Sequence, residues 1–485
     1  MVFSSQVFLF YFLPAALLVY YVVPRRVKHA GLTLLSYFFY GWSNPYFIVL
    51  MFTSTVVDYF SALCIATGGV NPFKLEATTL NQRVPRNRRQ KTALAVSICT
   101  NLALLGFFKY FNFGVESYNA LLRSLGLDDV QWTTFLRVTL PLGISFYTFQ
   151  SMSYTVDVYR GHARAVRRFV DFACYVSMFP QLVAGPIVRF HEIADQLISR
   201  RHTLDKFGRG VAFISLGMAK KILLANPCGK IADLCFGAEA VGFVDAWYGV
   251  SAYAFQIYFD FSGYSDMATG LGLMLGFRFP RNFDRPYLAE SVTEFWRRWH
   301  MSLSRWLRDY LYIPIGGNRR GECRTYLNLA LVMLLGGLWH GAGWTFVCWG
   351  GFHGALLMIE RRMGKMSVYH KFPRPVRIVV TFVCVLISWV FFRSADVPSA
   401  FRYLLGLIGS ADVPPGVTLI AGVIYQPYYV VTFGLAAWVA WGCRDTWEFT
   451  ANLPLPKAVA CVVLLALSVA AMTTQSFNPF IYFIF

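Results

Sequence analysis

Leu327-Asn328-Leu329-Ala330-Leu331-Val332-Met333-Leu334-Leu335-Gly336-Gly337-Leu338-Trp339-His340-Gly341 is an apolar run with a histidine near its end. An ionisable side chain inside such a run is costly in hydrocarbon, so it marks a working site rather than packing. Arg319, Arg320 and Arg324 place the start of this helix, near Tyr326, on the cytoplasmic side. Fourteen residues at ~1.5 Å rise then carry His340 roughly 21 Å inward, well into the apolar layer. Gly336, Gly337, Gly341 and Gly343 surround it and permit close backbone approach or a break in the helix. A second histidine, His300, ends the equally aromatic stretch Glu294-Phe295-Trp296-Arg297-Arg298-Trp299-His300.

The rest of the chain agrees that these segments belong in a bilayer. Of 485 residues, 56% are hydrophobic and 14% charged, with a mean hydropathy of +0.48; a soluble domain carries about 25% charged residues. Apolar runs recur at Val7–Val23, Tyr46–Ala66, Thr92–Phe107, Leu140–Val158, Val211–Leu224, Trp344–Ile359, Val376–Phe392, Tyr428–Trp441 and Ala458–Met472. Several approach the ~20 residues that span ~30 Å of hydrocarbon. Shorter ones imply broken or re-entrant elements, tolerated only where protein or a wet cavity covers them. The expectation is an all-α polytopic membrane protein, with one membrane domain over 1–485 and no internal repeat. Phe169–Val188, punctuated by Pro180, Gly185 and Pro186, reads as a re-entrant hairpin.

The net charge of +19 has a topological explanation. Arg25, Arg26 and Lys28, then Arg83, Arg86, Arg88, Arg89 and Lys91, then Arg160, Arg164, Arg167 and Arg168 lie between apolar runs. That is the positive-inside pattern, so these loops are placed in the cytoplasm and nucleic acid is not expected as a partner. The connection Gly114–Thr139, with Glu116, Asp128 and Asp129, is placed outside. The first segment lacks a convincing cleavage site and reads as an uncleaved helix. The ten cysteines stand singly, which argues against a disulfide framework or a metal site. No GxSxG, P-loop or HExxH pattern occurs. Gly217-Met218-Ala219-Lys220-Lys221 and Gly270-Leu271-Gly272 read as helix-packing glycines rather than phosphate cradles.

From Arg297 to Tyr310 helical spacing puts Arg297, His300, Ser304 and Arg308 on one polar stripe. Arg298, Ser302, Arg305 and Asp309 form a second beside it, with Trp299, Leu303, Trp306 and Tyr310 opposite. One continuous interfacial helix is expected, either a surface helix held by snorkelling arginines or a site facing an anionic donor. His340 suits a general base at a restricted passage, because imidazole takes and returns protons near neutrality. A neutral histidine bridging helices is the alternative. His353, in Trp349-Gly350-Gly351-Phe352-His353-Gly354, suits a structural or supporting role.

Three ordered blocks resemble signatures of the membrane-bound O-acyltransferases. They are Tyr258-Phe259-Asp260-Phe261-Ser262-Gly263-Tyr264-Ser265-Asp266-Met267-Ala268, Trp296-Arg297-Arg298-Trp299-His300-Met301-Ser302-Leu303-Ser304 and Leu338-Trp339-His340-Gly341. The resemblance covers nearly the whole chain and is nearest to the bacterial branch that serves alginate O-acetylation. It implies a ring of tilted transmembrane helices with re-entrant segments around a central tunnel. It makes His340 the catalytic residue and His300 the second active-site residue. Asp260, Tyr264, Asp266, Trp339 and His353 become wall or supporting residues, and Arg297, Arg298 and Arg305 become candidates for holding the donor. The implied donor is acetyl-coenzyme A or an acyl-carrier thioester, with no bound cofactor and no metal. The implied setting is multi-pass in the bacterial inner membrane, within a polysaccharide biosynthesis complex that includes an exported acetyltransferase partner. Cellulose, teichoic acid or another glycan as direct acceptor, a polymer or lipid transporter, and a non-catalytic scaffold are the competing readings.

Overall fold

The computed structural model describes every residue except 43, 70–78, 134, 184, 365–367, 414–419 and 475–485. The regular structure of the described residues is all helical, without a strand, and they form two compact units: Met1–Thr203 with Leu275–Phe279, and Leu204–Met274 with Pro280–Phe485. Among the described residues five helices are long and apolar enough to cross a membrane: Phe47–Thr67, Arg88–Ser124, Leu204–Gly237, Arg374–Arg393 and Leu455–Thr474.

The first unit contains α1 (Leu13–Val22), α2 (Lys28–Gly41), α3 (Phe47–Thr67), α4 (Arg88–Ser124), α5 (Ile144–Arg160), α6 (Phe169–Ser177), α7 (Phe179–Leu182) and α8 (Phe190–Ile198). α4 opens with a capping box, in which the Asn87 side chain accepts from Gln90 N and Gln90 Oε1 accepts from Asn87 N. It then runs 37 residues, through 114–124, so the connection expected from Gly114 begins only after Ser124. Its apolar periodicity simply continues past the glycine, which a helix tolerates at modest cost. α6 and α7, at nine and four residues, are each too short to cross a bilayer. Where α3, α4 and α5 meet, the fully buried Asp58 accepts from Ser97 Oγ at 2.6 Å, from Asn101 Nδ2 at 2.8 Å and from Ser151 Oγ. An intramembrane carboxylate persists only with such donors around it.

The second unit contains α9 (Leu204–Ala219), α10 (Asn226–Gly237), α11 (Phe243–Met274), α12 (Val292–Arg298), α13 (Met301–Leu307), α14 (Glu322–His340), α15 (Trp344–Met363), α16 (Arg374–Arg393), α17 (Val397–Leu407), α18 (Ala421–Ile424), α19 (Pro427–Gly442), α20 (Thr446–Phe449) and α21 (Leu455–Thr474). α9 and α11 lie glycine to glycine. A Cβ on Gly217 would sit 2.5 Å from Gly263 O, and one on Gly270 would sit 2.5 Å from Gly210 O. The glycine patterns are therefore packing sites, as their spacing suggests. A π-helical turn, Lys220–Ala225, joins α9 to α10 and aims two lysines at α11. Lys221 Nζ is 2.9 Å from Asp260 Oδ1, and Lys220 Nζ is 2.7 Å from Asp266 Oδ2.

The expected single helix over 297–310 is broken. α12 stops at Arg298, His300 takes φ 40° and ψ 53°, and α13 restarts at Met301 before a π-helical turn at Arg308–Tyr312. Spacing alone misses the break because its cause is non-local: Met301 N donates to Asn282 O at 2.8 Å, and Asp284 N to Arg298 O at 2.9 Å. Of the expected apolar face, Trp299, Leu303 and Trp306 are nonetheless buried, while Tyr310 is half-buried.

The α9–α11 seam leaves no room for side chains. Gly217→Leu or Gly263→Leu is expected to cost about 1–3 kcal/mol or more by overpacking. Thermal unfolding in detergent should show a lowered midpoint, while Gly434→Leu, whose surroundings are open, should leave it unchanged.

Candidate active site

His340 is the last residue of α14, and Gly341 leaves the helix at φ −154° and ψ 150°. α15 resumes at Trp344 after the Gly341-Ala342-Gly343 link, so the glycines around His340 do break the helix. A Cβ on Gly337 would strike Phe346 O, and one on Gly350 would strike Met333 O, so α14 and α15 touch backbone to backbone. His340 is 8% exposed; its ring lies 5.1 Å from Trp349, 5.4 Å from Phe392 and 5.0 Å from Trp339.

His300 is fully buried, and its ring centroid is 6.3 Å from that of His340. Phe261 of α11 meets it edge-on at 4.6 Å, and Trp339 lies 6.0 Å away, beside both histidines. Its Nδ1 is 3.2 Å from Asn282 Oδ1, which also accepts Ser302 N at 3.2 Å and Ser302 Oγ at 2.8 Å. A non-glycine residue in the left-handed region costs of order 1–3 kcal/mol and persists only where surrounding bonds hold it. Here the loop carrying Asn282 supplies them. A cavity of about 200 Å³ reaches His340 and Trp349; Trp296, Gly336, Ser304 and Arg308 are among its other walls.

The remaining expected residues fall into three positions. His353 is buried behind the cavity wall: Trp296 Nε1 donates to its Nδ1 at 3.3 Å, and its Nε2 lies 3.1 Å from Ser388 Oγ. Ser388 spends its own proton on Val385 O, so His353 Nε2 is the donor and the ring is neutral. Asp260 and Asp266 are engaged by Lys221 and Lys220, and Tyr264 is buried in α11; these three build the scaffold behind Phe261. Among the arginines, Arg298 pairs with Glu294 at 2.7 Å, and Arg305 Nη2 donates to Arg281 O at 3.0 Å. Both brace the broken helix, while Arg297 is exposed.

Sequence reasoning missed Asn282; it placed Ser302 and Arg308 only on polar stripes and Trp349 only beside His353. Asn282 is 18 residues before His300, and nothing periodic links the two. The nearest signal is the polar Arg281-Asn282-Phe283-Asp284 stretch immediately after Pro280.

The sequence pattern of MBOAT, the membrane-bound O-acyltransferase family, matches residues 89–395, which hold α11, both histidines and the cavity walls. The chain belongs to the membrane-bound O-acyltransferase family. Along their full lengths the chain is 42% identical to the probable alginate O-acetylase AlgI of Azotobacter vinelandii. It is 36% identical to the peptidoglycan O-acetyltransferase of Helicobacter pylori, over 84% of this chain and 80% of that one. To the teichoic acid D-alanyltransferase of Streptococcus thermophilus it is 30% identical, over 52% of this chain and 68% of that one. This MBOAT chain is thus a multi-pass membrane acyltransferase, which fits its apolar spans.

Within this MBOAT site His353 holds the Trp296 wall. His353→Leu leaves the indole N–H buried without an acceptor, at about 1–3 kcal/mol. Thermal unfolding should show that loss, and acyl transfer should fall with it; His353→Gln, which can still accept from Trp296, should recover most of both.

Proposed function

We propose that this acyltransferase moves acetyl from a cytoplasmic thioester across the bacterial inner membrane for O-acetylation of an exported polysaccharide, alginate before others. The observation that carries the reading is the pair of histidines from separate breaks in the helices, 6.3 Å apart and beside an apolar cavity. His340 takes the proton of the acceptor hydroxyl while its oxygen attacks the thioester carbon. The C–O bond forms, the C–S bond breaks, and the imidazolium returns the proton to the departing sulfur. His300 completes the site. The two sides of the reaction meet in a central tunnel within a ring of tilted helices.

The donor is acetyl-coenzyme A or acetyl on an acyl carrier protein. Arg297, exposed beside the break, is the cation best placed for a phosphate-bearing arm, whereas Arg308, at the cavity, is paired with Asp309 at 2.7 Å. Alginate is favoured by the relatives named alginate O-acetylase. The described connections between helices are short, with nothing of the size of a carbohydrate-binding domain. Acetyl therefore passes to an exported acetyltransferase partner within a biosynthesis complex, and that partner modifies the polymer.

His340→Ala should lower acyl transfer ~10²–10⁴-fold with protein level and membrane insertion intact. More than half of wild-type acetylation in cells would remove His340 from the chemistry. For the relay, the chain alone is placed in liposomes with acetyl thioester on one side and polymer on the other. Little polymer acetylation is expected until the exported partner is added; efficient acetylation without it makes the chain a direct transferase.

A further inference from the structure

The hydrogen bonds around Asn282 dictate which nitrogen of His300 carries the proton. Asn282 is 2% exposed, and its side-chain amide faces three groups: Ser302 N at 3.2 Å, Ser302 Oγ at 2.8 Å and His300 Nδ1 at 3.2 Å. A backbone N–H is a donor that cannot reverse, so the amide must present its oxygen to Ser302 N. The same oxygen then faces His300 Nδ1. A carbonyl oxygen only accepts, so Nδ1 carries a hydrogen; a bare lone pair there would oppose the oxygen. The Ser302 hydroxyl offers no other resolution, since it lies 2.8 Å from the amide oxygen and 3.5 Å from His300 Nδ1. Its proton goes to Asn282.

With Nδ1 protonated, a neutral His300 has its lone pair at Nε2. That atom is buried and has no hydrogen-bond partner among the described residues. An unsatisfied buried acceptor costs free energy and is retained where a ligand completes it. The rings packed on His300 are Phe261, Phe283, Trp339 and His340. His340 is the titratable one among them, so no carboxylate or fixed cation among these neighbours sets the imidazole's protonation.

We infer that Asn282 is a positioning residue that locks His300 in the Nδ1–H form, so that Nε2 can only accept a hydrogen bond at the reacting group. The inference rests on the proposed roles of His300 and His340 and assigns their division of labour. The hydroxyl under activation, or the N–H that His340 gains from it, finds an acceptor in His300. The same amide holds Ser302 and thereby the left-handed turn, so one side chain sets both the orientation and the tautomer.

Two substitutions separate this from a merely structural role. Asn282→Asp keeps an acceptor for Ser302 N and His300 Nδ1 but adds negative charge. Asn282→Leu keeps the approximate volume and removes the acceptor. Purified protein is assayed with acetyl-coenzyme A as donor across a range of pH. N282D should keep at least about a third of wild-type kcat, with KM within about twofold. The acidic limb of its profile should move up by about one pH unit, because a carboxylate beside the imidazole favours its protonated, non-accepting form. N282L should lose ~10²–10³-fold in kcat. The inference is overturned if N282L keeps more than half of wild-type kcat, or if folded N282D is as inactive as N282L. An acidic limb unmoved in N282D also overturns it, and that result decides the matter should N282L not fold. His300→Ala keeps the two levels apart. Full activity there defeats the proposed role of His300 itself, whereas inactive His300→Ala beside active N282L defeats only the positioning.

Discussion

A polar atom withdrawn from water must find its partner inside the protein, and in a chain this apolar that requirement governs nearly every close contact. Asp58 is tolerated because two hydroxyls and an amide reach it from α4 and α5. Asp260 and Asp266 are tolerated because a π-helical turn brings Lys221 and Lys220 to them. Such pairs are weak evidence of net stability, since desolvation offsets most of the attraction. They are strong evidence of register: α11 cannot slide along its neighbour without stranding a charge. Glycine contacts at 210, 217, 263 and 270 fix the same register sterically. Phe261, between Asp260 and Gly263 on that helix, is thus delivered to the His300 ring by constraints on both of its flanks.

The histidine pair shows the complementary case, polar groups left incompletely satisfied where chemistry needs them. His353, with both nitrogens engaged, is a wall residue; His300, with Nε2 open, is not. Burial and residue type are the same in the two, so hydrogen-bond accounting alone separates support from site.

Sequence made part of this legible. Hydropathy located the spans, and the glycines beside His340 announced the end of α14, because both signals are local. The three family blocks brought α11 and both histidines into view together. What spacing could not give was tertiary in origin. Arg297–Tyr310 carries a sound amphipathic pattern, yet the helix breaks inside it because Asn282 and Asp284, remote in sequence, bond its backbone. Arg298 and Arg305 looked like free cations for a donor, and each is held within the protein by Glu294 or a backbone carbonyl. Asp260 and Asp266 were visible through the family block as wall or supporting residues, but pairing them with adjacent lysines requires the π-helical turn at 220–225.

The left-handed conformation at His300 narrows how this position can change over generations. Chemistry asks for an imidazole, and the backbone independently asks for a side chain that accepts positive φ. Asn, Asp and His are the non-glycine residues that do so most readily. A helix-favouring replacement would fail twice, losing the imidazole and drawing the turn toward a continuous α12–α13 helix. Each residue added to that helix would rotate everything after it by about 100°. Leu303 and Trp306 would swing out of the core, and Ser304 and Arg308 would leave the cavity wall. Drift at this single codon is therefore filtered by the shape of the chain before any test of activity begins.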